Sequence, residues 1–308
     1  MVVRVLRIAT RRSRLALVQS QLIADRIAAA TGRAVVLVPV ATSGDDTSLP
    51  IDAMGTTGVF VAAVRQAVLA GAADLAVHSM KDLPTAAADG LLLGAVPARE
   101  DARDALCAAD GRTLADLPTG ARVATGSPRR VAQLRAVRPD LSYVPIRGNV
   151  DTRLEQVAAG AVDAVVLAVA GLTRLGRTDA ITQIIPPEVC TPAPAQGALA
   201  VECRADLRDT ELRTALAALD DADTRIAVTA ERRLLAELEA GCTAPVGAYG
   251  FVRGMEISIT AAVADSSGDP VIRLSDTGPA SGAAQLGANL AARLLDAGAT
   301  GLLGEPIP

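Results

Sequence analysis

Arg122-Val123-Ala124-Thr125-Gly126-Ser127-Pro128-Arg129-Arg130 is the stretch on which the reading of the fold turns. Val123 and Ala124 close a short apolar run, Gly126-Ser127 makes a turn, and Pro128 has the fixed φ that suits the first position of a helix. A strand therefore runs straight into a helix. A strand at Leu141 to Ile146 follows, then a helix at Val150 to Ala159, and Gly160 leads into the apolar strand Ala164 to Val169. The same order is written earlier in the chain. Arg7-Ile8-Ala9-Thr10 ends a strand, Arg11-Arg12-Ser13 makes the turn, and an amphipathic helix covers Leu15 to Ala30. A strand at Ala34 to Val40, a helix at Val59 to Leu69 and a strand at Asp74 to Val77 complete the echo. Strands and helices that alternate in this way predict two α/β, doubly wound domains on mainly parallel sheets.

Working outward, the chain leaves the first domain near Pro97-Ala98-Arg99-Glu100-Asp101 and returns near Thr191-Pro192-Ala193-Pro194-Ala195-Gln196-Gly197. The apolar run Leu199 to Cys203 is placed to rejoin the first sheet. From about Asp220 the pattern changes to a helix at Arg225 to Glu239, short strands at Glu256 to Ala262 and Val271 to Leu274, and a last helix at Ala283 to Leu295. The expected organisation is domain 1 at 1–98 and 199–218, domain 2 at 99–198, and a smaller C-terminal α+β domain 3 at 219–308.

Composition narrows the function. Hydrophobic residues make up 50% of the 308 and aromatics 1%, so the core is aliphatic. A net charge of -4 and the absence of Trp argue against a nucleic-acid partner held by bulk charge or base stacking. No apolar run reaches membrane-spanning length, and the N-terminus lacks a signal-peptide core, so no membrane is expected. Four scattered cysteines with no C-x-x-C, and a single His, predict neither a disulfide scaffold nor a metal site. The setting expected is the cytoplasm. Without a long apolar stripe, a monomer is expected.

In open α/β sheets, ligands bind beyond the carboxyl ends of the strands. Five such ends carry hydroxyls or cations here. Thr10, Arg11 and Ser13 follow the first strand, and His78, Ser79, Met80, Lys81 and Asp82 follow Val77. Thr125, Ser127, Arg129 and Arg130 follow Val123; Arg147, Asn149 and Arg153 follow Ile146; Gly171, Thr173 and Arg174 follow Val169. Helix N-termini and arginines favour anions. No phosphate-cradling loop of the P-loop or dinucleotide kind occurs, so the ligand predicted is a polycarboxylate.

Two residues stand out within that frame. Cys242, in Leu238-Glu239-Ala240-Gly241-Cys242-Thr243-Ala244-Pro245, follows a helix at the point where Gly241 would cap it. It reads either as a presented thiol, with a covalently attached ligand, or as a small buried hydrophobe. Asp82 reads either as a carboxylate steadying a developing positive charge and shuttling a proton, or as a turn former before Pro84. His78 fits a hydrogen-bonded packing residue.

Taken together, Arg7-Ile8-Ala9-Thr10-Arg11, Ala76-Val77-His78-Ser79-Met80-Lys81-Asp82, Arg147-Gly148-Asn149-Val150, Leu167-Ala168-Val169-Ala170-Gly171-Leu172, Gln196-Gly197-Ala198 and Gly241-Cys242 resemble the hydroxymethylbilane synthase (porphobilinogen deaminase) family of tetrapyrrole biosynthesis. The resemblance runs nearly the full length. It implies three domains, the first two like a periplasmic-binding-protein pair. It also implies a transferase that joins four porphobilinogen molecules head to tail on a dipyrromethane cofactor, held by a thioether to Cys242. Asp82 is implied as the catalytic carboxylate. Ser79, Lys81, Asp82, Thr125, Ser127, Arg129, Arg130, Arg147 and Gly148 are implied at the cofactor, and Arg11, Ser13, Phe60, Arg153, Arg174 and Gln196 at the substrate. Phe60 would stack on a pyrrole or pack its loop. The segment Met54-Gly55-Thr56-Thr57-Gly58-Val59-Phe60 lacks the family's loop lysines, and Arg14 and Asp151 stand where Pro and Gly are common. A non-catalytic polycarboxylate-binding module on the same two-domain cleft is the alternative: it needs the arginines but neither Asp82 nor Cys242.

Overall fold

The computed structural model describes residues 4–41, 59–240 and 244–303, except for the side chains of Val59 and Phe60. In chain order the elements are β1 (Leu6–Arg11), α1 (Arg14–Thr31), β2 (Val35–Val40), α2 (Val59–Leu69), β3 (Leu75–Ser79), β4 (Leu91–Ala95) and β5 (Asp104–Ala108). Next come β6 (Arg122–Ala124), α3 (Pro128–Val137), β7 (Ser142–Val144), α4 (Val150–Ala158), β8 (Ala164–Ala168), α5 (Val169–Arg174), β9 (Gln183–Ile185) and β10 (Leu199–Arg204). The chain closes with α6 (Thr210–Leu219), α7 (Ala222–Glu237), β11 (Val246–Arg253), β12 (Glu256–Ala264), β13 (Val271–Pro279) and α8 (Ala283–Asp296).

The chain forms two compact units, Met1–Arg99 with Ala198–Arg225, and Glu100–Gly197 with Ile226–Pro308. In the first, the described strands form a sheet in the order β2-β1-β3-β10-β4. β1 runs parallel to β2 and β3, whereas β10 is antiparallel to both β3 and β4. In the second the order is β7-β6-β8-β5-β9, with β6 parallel to β7 and β8, and β5 antiparallel to β8 and β9. The duplication legible in the sequence is therefore a duplicated strand order. The expectation of mainly parallel sheets is corrected: half of the pairings are antiparallel. In each sheet the reversed strand, fourth in the order, is the first strand after the chain changes unit (β5 after Glu100, β10 after Gly197), so no helical crossover sets its direction.

Period-two alternation along each strand divides the core. On β1, Leu6 and Ile8 face a cluster with Ile23 and Ile27 of α1 and Leu212 and Leu216 of α6. Ala9 faces the other way, onto Val64 and Val68 of α2. The second sheet repeats this arrangement. Leu106, Val123 and Val166 pack with Leu134 of α3, while Ala105, Ala124, Val165 and Leu167 pack with Leu154 of α4 and Leu172 of α5.

The C-terminal region, inside the second unit, has its own antiparallel sheet β11-β12-β13. Leu234 of α7 and Leu290 and Leu294 of α8 pack over Val246, Ile257, Ile259 and Val263. β11 is not evident from its sequence because glycines interrupt it. Gly247 is there because a Cβ would come within 2.5 Å of the Thr191 carbonyl oxygen, a close backbone approach of the kind that puts glycine in a strand.

Candidate functional site

In the first unit the site grows from the carboxyl ends of β1 and β3. Arg11 is the last residue of β1, and Ser13 caps α1, its hydroxyl accepting from Ala16 N at 3.4 Å. β3 ends at Ser79 and enters a single 3₁₀ turn, Met80–Asp82. That turn is held from behind: Met80 N donates to Ala198 O at 3.0 Å, and the Met80 side chain is buried. Lys81 is half-buried and Asp82 is exposed. Ser79 Oγ donates to Oε1 of buried Gln19 at 3.1 Å. Arg11, Ser13, Gln19, His78, Ser79 and Asp82 provide the polar walls of one pocket.

His78 is buried beside Glu202 of β10. Its Nε2 lies 3.3 Å from Glu202 Oε2 but is misaligned for a hydrogen bond, so the expected packing role holds without the expected bond. Glu202 is gripped by Arg65 of α2, with Nε to Oε2 at 2.9 Å and Nη2 to Oε1 at 2.7 Å. Burial alone would raise the Glu202 carboxyl. The close contact with His78 and the paired bonds from Arg65 outweigh it and hold the group down at about 2.

The second unit builds on the ends of β6, β7 and β8. Thr125 is buried and its Oγ1 accepts from Ser127 N at 3.2 Å; Ser127 caps α3, with Pro128 at N1. The first turn of α3 points two arginines inward, 3% and 6% exposed for Arg129 and Arg130. Both meet Asp104 of β5, which has 0% exposure. Arg129 Nη2 donates to Asp104 Oδ2 at 2.9 Å, while Arg130 Nε and Nη2 donate to Oδ1 at 3.1 and 2.7 Å. Gln196 Nε2 also donates to Oδ1, at 2.8 Å. Burial would raise the Asp104 carboxyl, yet the two guanidinium charges and these hydrogen bonds hold it well below the usual carboxylate range.

Further along the same unit, Gly148 has φ +99, and its carbonyl accepts from Arg153 Nε at 2.8 Å. Asn149 caps α4, accepting from Thr152 N at 2.9 Å, and Arg147 is exposed. Arg174 ends α5 and donates from Nη2 to Gly197 O at 2.6 Å. Burial pulls both the Arg153 and Arg174 guanidiniums below their usual range; Arg130 adds to the effect at Arg153.

The predicted strand-end residues thus fall into two sets. Arg11, Ser13, Ser79 and Asp82 share a pocket in the first unit, with Lys81 in the turn beside it. Thr125, Ser127, Arg129, Arg130, Arg147, Gly148, Arg153, Arg174 and Gln196 belong to the second. Arg129, Arg130 and Gln196 are joined through Asp104, a partner that sequence reading missed. Glu202 and Gln19 were missed as well. Asp104 and Glu202 lie in apolar strands and Gln19 in a helix, and only the packing of elements distant in sequence gives each its polar neighbour. Cys242 lies outside the described residues, as do the side chain of Phe60 and the segment from Met54 to Gly58.

The donor set suits a polycarboxylate. Two arginines on one aspartate leave a net positive charge, and Arg153 and Arg174 are partly withdrawn from water, where an anion would relieve them. A family model described as "Porphobilinogen deaminase, dipyromethane cofactor binding domain" matches residues 6–213, and one described as "Porphobilinogen deaminase, C-terminal domain" matches 225–296. Porphobilinogen deaminase 1 of Streptomyces coelicolor is 51% identical, covering 97% of this chain and 98% of its own. Porphobilinogen deaminase of Thermobifida fusca is 55% identical over 88% and 85%. Among solved structures, a methionine-binding protein aligns with TM-score 0.45 and 10% identity, over 70% of this chain and 89% of that one.

Proposed function

The chain belongs to the porphobilinogen deaminase family, and from that membership we propose that it deaminates porphobilinogen, joins four molecules head to tail and releases hydroxymethylbilane by hydrolysis. It is a transferase of porphyrin and heme biosynthesis. The observation that carries the catalytic reading is Asp82, an exposed carboxylate in a pocket whose other polar walls are Arg11, Ser13, Gln19, His78 and Ser79. When bound, the dipyrromethane supplies a nucleophilic α-carbon and an anchor for the growing chain. Ser79, Lys81, Asp82, Thr125, Ser127, Arg129, Arg130, Arg147 and Gly148 would hold it, with the thioether at Cys242. Arg11, Ser13, Phe60, Arg153, Arg174 and Gln196 would meet the substrate's carboxylates.

Each addition breaks the aminomethyl C–N bond, and the electron pair leaves with ammonia. The pyrrole ring is left cationic. Asp82 accepts the ring N–H as a charge-assisted hydrogen bond and stabilises that cation. The proton displaced from the α-carbon when the next ring is joined would need a base to carry it, and Asp82 is the carboxylate lining this pocket. Arginines do the rest: every added pyrrole brings two carboxylates. The setting we propose is a cytoplasmic monomer, in keeping with the free, buried thiols of Cys107, Cys190 and Cys203. The three domains would carry the catalytic Asp (1–98 and 199–218), the arginine cluster (99–198) and the anchoring Cys (219–308).

Intact-protein mass with peptide mapping tests the cofactor, and Asp82→Asn tests the catalyst. An adduct of two linked pyrroles is expected on the Cys242 peptide. The Asp82→Asn variant should retain its fold and lose at least about 100-fold in kcat, the scale of a general acid–base group. Turnover within a few-fold of wild type would remove Asp82 from the mechanism. An unmodified thiol that gains nothing from added porphobilinogen would favour a carboxylate-binding module.

A further inference from the structure

We infer that Asp104 is the positioning residue of the second unit: a carboxylate that touches no ligand but sets the two guanidiniums of Arg129 and Arg130. The inference rests on the reading of that pair as cofactor-holding. Asp104 has 0% exposure and both of its oxygens are engaged by side chains of its own unit, so it acts through its neighbours. Oδ1 accepts from Arg130 Nε, Arg130 Nη2 and Gln196 Nε2; Oδ2 accepts from Arg129 Nη2, with Cys190 Sγ at 3.5 Å.

The arrangement fixes orientation as well as charge. Two planar guanidiniums cannot turn about a carboxylate whose two oxygens are both engaged. One further nitrogen of each is guided by a carbonyl, Arg129 Nη1 to Thr191 O at 2.6 Å and Arg130 Nη1 to Val166 O at 2.8 Å. Thr191 is itself fastened. Its N–H donates to Gln133 Oε1 at 2.8 Å, and that same oxygen accepts from Arg273 Nη2 of β13 at 3.1 Å. The cluster therefore links α3, β5, the 190–197 segment and the C-terminal sheet. A pair of arginines without Asp104 would repel each other and swing. With it they present one net positive charge in one geometry, preorganised before an anion arrives.

The test is cofactor loading, read as the fraction of chains carrying the dipyrromethane mass, with KM and kcat measured on the loaded fraction. Asp104→Asn keeps the volume and removes the charge. Loading is expected to fall about tenfold or more while the variant still melts cooperatively, and KM should rise more than kcat falls. Asp104→Glu is the second variant. It keeps the ion pairs balanced, so it avoids an unpaired buried arginine, but moves the carboxylate by one methylene. Loading about threefold below wild type is expected if position matters. Wild-type loading in either folded variant overturns the inference. A wild-type chain that carries no adduct at all would instead count against the cofactor reading on which it rests.

Discussion

Glu202 keeps its charge in the interior of the first unit because Arg65 meets it with two nitrogens. Its carboxyl is held at about 2 against a usual value of 4.5. A depressed folded value contributes stability that is present above pH 4.5 and is lost as the pH falls through about 2. Glu202→Gln leaves a partly buried Arg65 without its counter-charge, so near neutrality the variant should be less stable by about 3 kcal/mol. The gap between the two proteins should narrow below pH 4.5, which paired denaturant titrations across that window would reveal. A gap independent of pH would mean that the pair is not what holds the carboxyl down. Gly197 makes a backbone argument at the same scale. It has φ +88, and a Cβ there would sit 2.3 Å from Glu100 O. Gly197→Ala combines strain with a clash against backbone and should cost about 3 kcal/mol or more.

At the scale of the element, α1 and α3 are two versions of one device. Each follows a parallel strand, starts from a serine cap and turns its first residues toward the carboxyl end of its sheet. Ser13→Ala should cost about 1 kcal/mol by removing that cap. The two helices differ at N1, where α3 has Pro128 and α1 has Arg14. Pro is suited to that position, so Arg14→Pro should be neutral or stabilise by about 0.5 kcal/mol, read as the shift in a urea midpoint. A clear loss would show that the Arg14 side chain contributes more than the backbone preference. Asp151, the other departure from the family's habit, lies in the first turn of α4, where a negative charge is favourable, and accepts from Arg177 Nη1 at 2.7 Å.

At the scale of the whole molecule, a covalently held polyanion should stabilise the chain, because it neutralises arginines that the fold gathers and partly buries. Protein produced without porphobilinogen should therefore melt several degrees below the loaded form, and recover on incubation with it; equal melting points would mean that the cations are satisfied without the ligand. Much of this was legible in the sequence. The repeated strand–turn–helix order, the crossings near Glu100 and Gly197, the helices α1, α2, α3, α4 and α8, and the polar residues at the strand ends are all local. Hydrophobic period, capping residues and turn residues act over a few positions, so the sequence by itself determined them. What it left open needed partners far along the chain. The antiparallel seating of β5 and β10, the strand β11 with its glycines, and the joining of Asp104 to Gln196 or of Arg65 to Glu202 depend on sheet order. No periodicity records it. A buried carboxylate looks the same in sequence whether or not arginines meet it, and only the tertiary structure decided that they do. The physical reason is that burying such a charge is costly unless it is paired, and pairing is a property of the folded neighbourhood rather than of the segment.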